Sequence, residues 1–170
     1  IILASKSKIR SALLLKAGIE FTVLDAAVNE KNVKSFYVNE GYSPLHVAEV
    51  LANMKAKKLS SKHPDKLVIG CDQIVEYDGQ ILSKASNPND LVGQLKVLRN
   101  RTHTLYSACA VYIANNEDWT FTGSATVTMR NLSDEYISNY VDIHWNDVKH
   151  CVGGYQIENF GISVLSKING

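Results

Sequence analysis

The chain lacks the features typical of membrane, secreted or nucleic-acid-binding proteins. Its 170 residues carry a formal net charge of only +1, so no overall field attracts nucleic acid or an acidic membrane. Its apolar runs are too short to span a bilayer, and the opening Ile1-Ile2-Leu3-Ala4 has neither a basic leader nor a long apolar core. We therefore expect a cytoplasmic protein with no membrane and no nucleic-acid partner.

Cysteine is scarce and shows no pairing pattern. The three cysteines, Cys71, Cys109 and Cys151, are widely spaced, and the five histidines show no zinc-binding spacing with them. This pattern favours free thiols in a reducing cytosol over a disulfide framework. With 45% hydrophobic and 21% charged residues, the chain is otherwise typical of one globular domain over residues 1–170, or at most two small lobes.

Hydrophobic periodicity and turn residues predict a mixed α/β fold. Asp78-Gly79 predicts a two-residue hairpin, and Asn115-Asn116 predicts the turn of a long antiparallel ribbon. The polar stretch 29–42 is predicted to be a loop or an irregular helix. The predicted strands are 1–4, 21–26, 67–72, 105–114, 119–129 and 161–168, and the predicted helices are 8–17, 44–60, 88–99 and 133–142.

Asp72 is the first candidate for chemistry. It ends the apolar run 67–71, which reads as a buried strand, so its carboxylate is expected at the carboxyl edge of the sheet. Ligands of open α/β folds bind at that edge. A carboxylate is rarely buried without a partner. The alternative is that Asp72 simply opens the next turn.

The first predicted helix carries cations where its dipole favours anions. Three cations follow Ser5 at the N-terminus of this helix, namely Lys6, Lys8 and Arg10. A phosphate chain bound there would satisfy both the cations and the free backbone N–H groups. Lys6 and Lys8 are equally consistent with a solvated basic surface. Arg10 differs, because helical periodicity places it beside apolar residues of the same helix.

Lys55 lies on the apolar stripe of the helix predicted over 44–60. It is four residues from both Leu51 and Leu59, so its side chain is expected near the middle of the buried face. A lysine in such a place either extends to the rim or meets a buried anion. The sequence leaves both alternatives open.

Two further residues complete the candidate set. Lys84 follows the predicted hairpin that leaves Asp72, and the hairpin could return it to the same edge. Glu30 follows the second predicted strand, and with Asp72 it could hold a divalent cation through oxygen ligands. The alternative for Glu30 is an ordinary solvated loop carboxylate.

Taken together, these cations and carboxylates suit magnesium-assisted attack on a phosphoanhydride, in which catalysis is mostly positioning and charge neutralisation. Hydride transfer is disfavoured because no Gly-x-Gly-x-x-Gly is present. A nucleophilic serine is disfavoured because no Gly-x-Ser-x-Gly is present.

The same residues resemble the signature of one family, the Maf-type nucleotide pyrophosphatases, also called septum formation inhibitor proteins. The opening segment 3–10 resembles the family's Leu-Ala-Ser-x-Ser-Pro-Arg-Arg. Six further segments match in the same order along the chain. These are Asn29-Glu30, Lys55-Ala56, Gly70-Cys71-Asp72-Gln73 with Ser83-Lys84, Arg101-Thr102-His103, and Gly153-Gly154-Tyr155.

The resemblance implies an α/β fold of the Maf/ITPase-like kind, a two-lobed sandwich around a long twisted mixed sheet with helices on its faces and a central cleft. It implies hydrolysis of a nucleoside triphosphate to the monophosphate and pyrophosphate. Asp72 would activate water or ligate a metal, Mg²⁺ or Mn²⁺, shared with Glu30. A homodimer is a common assembly of the family. The residues expected to hold the triphosphate are Ser5, Arg10, Lys55 and Lys84.

Departures from the commoner pattern resemble the subfamily that acts on 7-methyl-GTP. Gln73 follows the catalytic Asp, Cys151 opens the segment before Gly153, and Glu158 stands where the commoner pattern has Gln. N7-methylation makes the purine ring positive, and a carboxylate in the base pocket would favour it by Coulomb attraction. Ile9 departs from both patterns. The alternatives are a pyrimidine triphosphate pyrophosphatase and a non-catalytic nucleotide-binding regulator of cell division.

Overall fold

The structure is a computed structural model that describes all residues from Ile1 to Gly170. No helix in it combines the length and apolar character needed to cross a membrane. In chain order its elements are β1 (Ile2–Leu3), α1 (Lys8–Lys16), β2 (Thr22–Val23), α2 (Glu30–Asn39), α3 (Pro44–Ser60), β3 (Val68–Tyr77), β4 (Gln80–Ile81), α4 (Pro88–Leu98), β5 (Thr102–Ile113), β6 (Asn116–Met129), α5 (Asp134–Val148), a 3₁₀-helix (Phe160–Val164) and β7 (Leu165–Asn169).

The strands form one mixed sheet in the order β2-β1-β3-β5-β6-β7, with β4 paired to β3. The short strand β1 runs parallel to both β2 and β3. By contrast, β4 is antiparallel to β3, and β7 is antiparallel to β6. The prediction of an α/β protein with a mixed sheet is therefore confirmed.

Every α-helix begins at a polar cap that the sequence contains. The five capping side chains each accept a hydrogen bond from the backbone N–H three residues further on, and so satisfy one orphan donor of the first turn. Pro44 and Pro88 occupy first helical positions, where a missing N–H costs nothing. The caps are Ser7, Asn29, Ser43, Asn87 and Ser133.

The chain divides into two compact units, each with its own core. Unit 1 comprises Ile1–Gln73 and Tyr106–Gly123, and unit 2 comprises Ile74–Leu105 and Ser124–Gly170. In unit 1 the helix α3 buries an apolar face that includes Leu51 and Ala52. In unit 2 the helices α4 and α5 bury leucines and aromatic residues against each other and the strands. That these units are the two lobes of one domain stays a prediction.

Several predicted boundaries are wrong. The strand that contains Asp72 does not end there but continues to Tyr77, because Ile74 and Val75 are also fully buried. Within the stretch 29–42, Glu30–Asn39 form the regular helix α2, which the Asn29 cap begins. The turn between β5 and β6 lies one residue early, with positive φ at Ala114 and Asn115.

Two further boundaries differ near the end of the chain. The helix α5 extends six residues beyond the predicted end at Asp142, because Val148 is also buried in the core of unit 2. The predicted final strand 161–168 is divided, since a 3₁₀-helix occupies Phe160–Val164 and β7 starts only at Leu165. The Asp78-Gly79 hairpin is confirmed, with positive φ at both residues and Tyr77 opposite Gln80.

Candidate active site

A buried ion pair joins α3 to β3 in unit 1. Lys55 Nζ lies 2.6 Å from Asp72 Oδ1, and the two residues are only 8% and 5% exposed. Lys55 therefore meets a buried anion, the second of the two alternatives that its place on the helix left open. The other carboxylate oxygen, Asp72 Oδ2, is buried and has no hydrogen-bond partner.

Asp72 owes its environment to the short length of β1. The parallel pairing of β1 with β3 ends at Ile69, and the last bond between the two segments runs from Ala4 N to Ile69 O. Asp72 therefore lies beyond the end of the parallel part of the sheet, although it is in the middle of its own strand. The sequence predicts that Asp72 ends its strand at the carboxyl edge of the sheet. In the structure β1 ends at that edge, whereas β3 continues past it.

Gly70 allows α3 to approach β3 closely enough to form this pair. A Cβ at residue 70 would lie 2.2 Å from the carbonyl oxygen of Ala52 and 2.7 Å from the backbone nitrogen of Ala56. Because those atoms belong to the helix backbone, they cannot rotate away. The absence of a side chain at Gly70 thus fixes the distance between Lys55 and the strand.

Glu30 reaches the same ammonium group from α2. It is the first residue of that helix, where an acidic side chain interacts favourably with the helix dipole. Its Oε1 lies 2.7 Å from Lys55 Nζ. The ammonium group therefore contacts both carboxylates that the sequence proposes as metal ligands.

Arg10 is anchored on the peptide that precedes Asp72. Its Nη1 donates to Ser5 Oγ and to the backbone carbonyl of Cys71, both at 2.9 Å. Ser5 is itself buried, at 7% exposed. The structure thus brings together in unit 1 the predicted phosphate-binding residues Ser5, Arg10 and Lys55 with Asp72 and Glu30.

The other cations near α1 behave as surface charges. Lys6 forms an exposed ion pair with Asp25 at 2.6 Å. The Lys6 ammonium group and the Ala27 N–H hold the pKa of the Asp25 carboxyl below its usual value. Lys8 is exposed. The basic N-terminus of α1 is therefore divided between a solvated surface and an anchored Arg10.

The proposed specificity residues lie in different surroundings. Ile9 is half-buried on α1. Gln73, in unit 1, donates through Nε2 to Ser107 Oγ at 3.1 Å, which holds its amide against β5. Glu158 is exposed in unit 2.

Lys84 and Glu158 both act on Cys151 within unit 2. Burial raises the pKa of the Cys151 thiol, the Gln156 amide and the Lys84 charge lower it, and the Glu158 charge raises it. Lys84, a predicted phosphate ligand, and Glu158, a predicted base ligand, therefore both lie near the Cys151 thiol. Lys84 itself is exposed.

One contact at the site is not predicted from the sequence. Cys71 and Cys109, distant in the chain, have their sulfur atoms 3.7 Å apart. Their proximity depends on β3 and β5 being neighbours in the sheet, and no local pattern indicates which strands pair. The alternation of side chains along each strand would reveal the contact once the register is known.

Chemically, this is an acid–cation site on a mixed α/β scaffold. A carboxylate with one held oxygen and one unpartnered oxygen lies beside an ammonium and a second carboxylate. The Arg10 guanidinium is fixed on the adjacent peptide. Such a set can accept a proton, hold a hard cation and neutralise an anion.

The comparison with protein families agrees with this class of site. The family model described as Maf-like protein matches residues 1–170, and the chain belongs to that family. A nucleoside triphosphate pyrophosphatase of Ruegeria pomeroyi is 40% identical over 170 residues, which cover 100% of this chain and 85% of the relative. A 7-methyl-GTP pyrophosphatase of Bartonella quintana is 37% identical over the same 170 residues, with the same coverage.

Proposed function

We propose that this chain hydrolyses a nucleoside triphosphate to the monophosphate and pyrophosphate, with a preference for 7-methyl-GTP. Nucleoside triphosphate hydrolysis is the general activity that the names of its relatives support. The observation that carries the proposal is the buried Lys55–Asp72 pair with its second carboxylate, Glu30. The finer preference is argued from the residues below.

Asp72 is proposed as the residue that acts on water. Lys55 donates to Oδ1 at 2.6 Å and fixes the orientation of the carboxylate, while Oδ2 keeps its lone pairs free to accept a proton. In the reaction, water adds to phosphorus, the bond between the α- and β-phosphates breaks, and pyrophosphate leaves. A positioned base of this kind contributes about 10²–10⁴-fold to a rate.

Arg10 and Ser5 are proposed to bind the phosphate chain. Arginine has five N–H donors. Nη1 uses its two on Ser5 and on the Cys71 carbonyl, so Nη2 and Nε remain available to phosphate oxygens in a fixed plane. Binding a triphosphate this way needs no rearrangement of the anchor. Lys84 is a further proposed phosphate ligand.

Glu30 and Asp72 are the residues that would hold a divalent cation, Mg²⁺ or Mn²⁺. In the alternative role of Asp72, its unpartnered oxygen would bind the ion instead of accepting a proton; this oxygen and the carboxylate of Glu30 are hard donors that fit such an ion. No group of three or more His, Cys, Asp or Glu side chains forms a cage. Two carboxylates suit Mg²⁺, which takes its other ligands from water and phosphate. The ion would supply charge neutralisation on the phosphates.

Glu158 is proposed to favour the methylated base. Its carboxylate is exposed and able to approach a positively charged purine ring, which attracts it more than a neutral ring does. Relatives named for 7-methyl-GTP and relatives named for nucleoside triphosphates in general match this chain almost equally well, at 37% and 39–40% identity. The proposed preference for 7-methyl-GTP is therefore supported by the residues of this chain and not by the names of its relatives.

Asp72→Asn is the direct test of the catalytic proposal. We expect kcat to fall about 10²–10⁴-fold, because the amide accepts no proton from water. Lys55 keeps its contact with Glu30, so the variant is expected to fold. Monophosphate and pyrophosphate are measured with a panel of purine and pyrimidine triphosphates in the presence of Mg²⁺.

Asp78→Asn is the matched control, because Asp78 lies in the β3–β4 turn with φ of 53°, where Asn is well tolerated. It should retain wild-type turnover. Undiminished turnover of Asp72→Asn would contradict the proposed role of Asp72. If the wild-type protein binds triphosphates and hydrolyses none of them, the regulator alternative is correct. A preference for dTTP, UTP or CTP would replace 7-methyl-GTP by the pyrimidine alternative.

A further inference from the structure

The two cysteines beside the candidate active site occupy opposite positions on neighbouring strands. Cys71 Sγ lies 3.7 Å from Cys109 Sγ, and Gln73 contacts Ser107 two positions further along. Moving two residues forward on β3 corresponds to moving two residues backward on β5. This is the pattern of directly opposite pairs in an antiparallel ladder.

This placement allows a disulfide to form without unfolding. Directly opposite residues in an antiparallel pair have Cα atoms about 4.5–5.5 Å apart, within the usual disulfide range of about 4.4–6.8 Å. Both cysteines are free and half-buried, so a small reagent can reach them.

Crosslinking would disturb the site through the backbone of β3. The Cβ atoms of opposite residues are about 4.5–5.5 Å apart, whereas a disulfide holds them at about 3.5–4.5 Å. Closing the bond therefore draws Cys71 toward β5 by up to about 1 Å. That peptide carries the carbonyl that anchors Arg10, and it leads directly into Asp72. A displacement of about 1 Å at a reacting centre can cost about 10²-fold in rate.

We propose that Cys71 and Cys109 are a modification site for low-molecular-weight disulfides, and that their reversible crosslink lowers the activity of the adjacent site. One of the two cysteines, as its thiolate, attacks one sulfur of the small disulfide and expels one thiolate. The thiol of the other cysteine then loses its proton, attacks the protein sulfur of that mixed disulfide and expels the second thiolate. The protein dithiol is oxidised by two electrons, and the reagent is reduced to two thiols. The loss of activity, though not the crosslink itself, rests on the proposed function.

The test is a titration of the whole protein with oxidised and reduced glutathione. Peptide mass spectrometry maps the crosslink. At each ratio, kcat/KM for 7-methyl-GTP and the affinity for inorganic pyrophosphate are measured. We expect a Cys71–Cys109 crosslink, at least a tenfold loss of kcat/KM in the crosslinked form, weaker pyrophosphate binding, and full recovery on reduction. The pyrophosphate titration reports on the site even if no triphosphate is hydrolysed.

Three variants serve as controls, each compared with its own reduced state. Cys151→Ser should respond like the wild type. Cys109→Ser should stop at a glutathione adduct on Cys71, and Cys71→Ser should form no crosslink. Absence of the crosslink in the wild type overturns the proposal, and so does a crosslinked form with unchanged or increased activity and pyrophosphate affinity. A reduced protein that forms the crosslink and loses pyrophosphate affinity but never hydrolyses a triphosphate contradicts the proposed function alone.

Discussion

Glu158 allows a test of whether one negative charge determines the substrate preference. Its side chain is exposed in unit 2, and its charge is felt at Cys151. An exposed carboxylate is screened by water, so its contribution to selectivity is expected to be modest. This makes a ratio between two substrates a better measure than an absolute rate.

Glu158→Gln should reduce the preference for 7-methyl-GTP over GTP by about three- to tenfold. The amide keeps the shape and the acceptor oxygen but removes the attraction for a positive ring. The ratio of the two kcat/KM values is the measurement, with Glu135→Gln, an exposed glutamate in the first turn of α5, as the matched control. An unchanged ratio would remove the electrostatic explanation of specificity.

Residue-scale prediction from the sequence succeeds where helical periodicity applies. Lys55 is found because its spacing from Leu51 and Leu59 fixes which face it occupies, and the structure buries it there. The anchor of Arg10 on the Cys71 carbonyl is not predictable in this way. It joins residues 61 positions apart, and nothing in either local segment specifies the other.

At the scale of elements, the contact between α3 and β3 decides the geometry of the site. The helix carries Lys55, the strand carries Asp72, and Gly70 sets the distance between them. The face of α3 that meets the strand is lined by small residues, Ala52 and Ala56, which allow the backbones to come close. Stability and activity should therefore respond together to a change at this contact.

Gly70→Ala should destabilise the protein by about 3 kcal/mol and lower kcat, because the added methyl forces α3 and Lys55 away from Asp72. Urea unfolding and turnover are measured on the same preparation. Gly93→Ala is the matched control, since a Cβ on Gly93 of α4 meets nothing within 4 Å. It should stabilise the protein by about 0.5–1 kcal/mol. Equal effects of the two substitutions would contradict the role of Gly70.

The elements that the sequence predicts correctly are those with strong local signals. Ser43-Pro44 and Asn87-Pro88 fix the starts of α3 and α4, and Asp78-Gly79 fixes the hairpin. By contrast, α2 mixes polar and apolar residues and buries none of them, so no core residue and no proline marks it as a helix.

The length of β3 could not be predicted, because its continuation depends on pairing partners that lie elsewhere in the chain. Asp72 interrupts the apolar pattern that would indicate a longer strand, and its burial is made acceptable by Lys55 from another element. The predicted boundary therefore falls at the residue where a buried charge interrupts the local apolar pattern.

At the scale of the whole molecule, one buried histidine links stability to pH. His103 is 2% exposed, with Nε2 2.6 Å from the Tyr155 hydroxyl and Nδ1 without a partner. Burial lowers the pKa of His103 to about 4. In the unfolded chain its pKa is about 6.5, so between these values the unfolded state binds more protons. Stability is therefore complete above about pH 6.5 and falls as the pH falls toward 4.

We expect His103 to account for about 2 kcal/mol of stability lost between pH 7 and pH 5. Urea unfolding of the wild type and of His103→Asn over this range isolates the contribution of this side chain from that of the carboxylates. The His103→Asn variant should have a lower free energy of unfolding than the wild type at pH 7, and this free energy should fall less on acidification. His150→Asn, at an exposed histidine of the same unit, is the matched control. Parallel pH profiles for wild type and His103→Asn would contradict the assignment.

The burial of Lys55 and Asp72 has a consequence for the thermal stability of the whole protein. Removing two opposite charges from water costs several kcal/mol per ion, and neutral side chains of similar volume often hold a fold together as well or better. A chain selected only to withstand heat would carry such neutral side chains at these positions. If the pair acts in the proposed reaction, the ammonium and the carboxylate in the interior exchange some thermal resistance for activity.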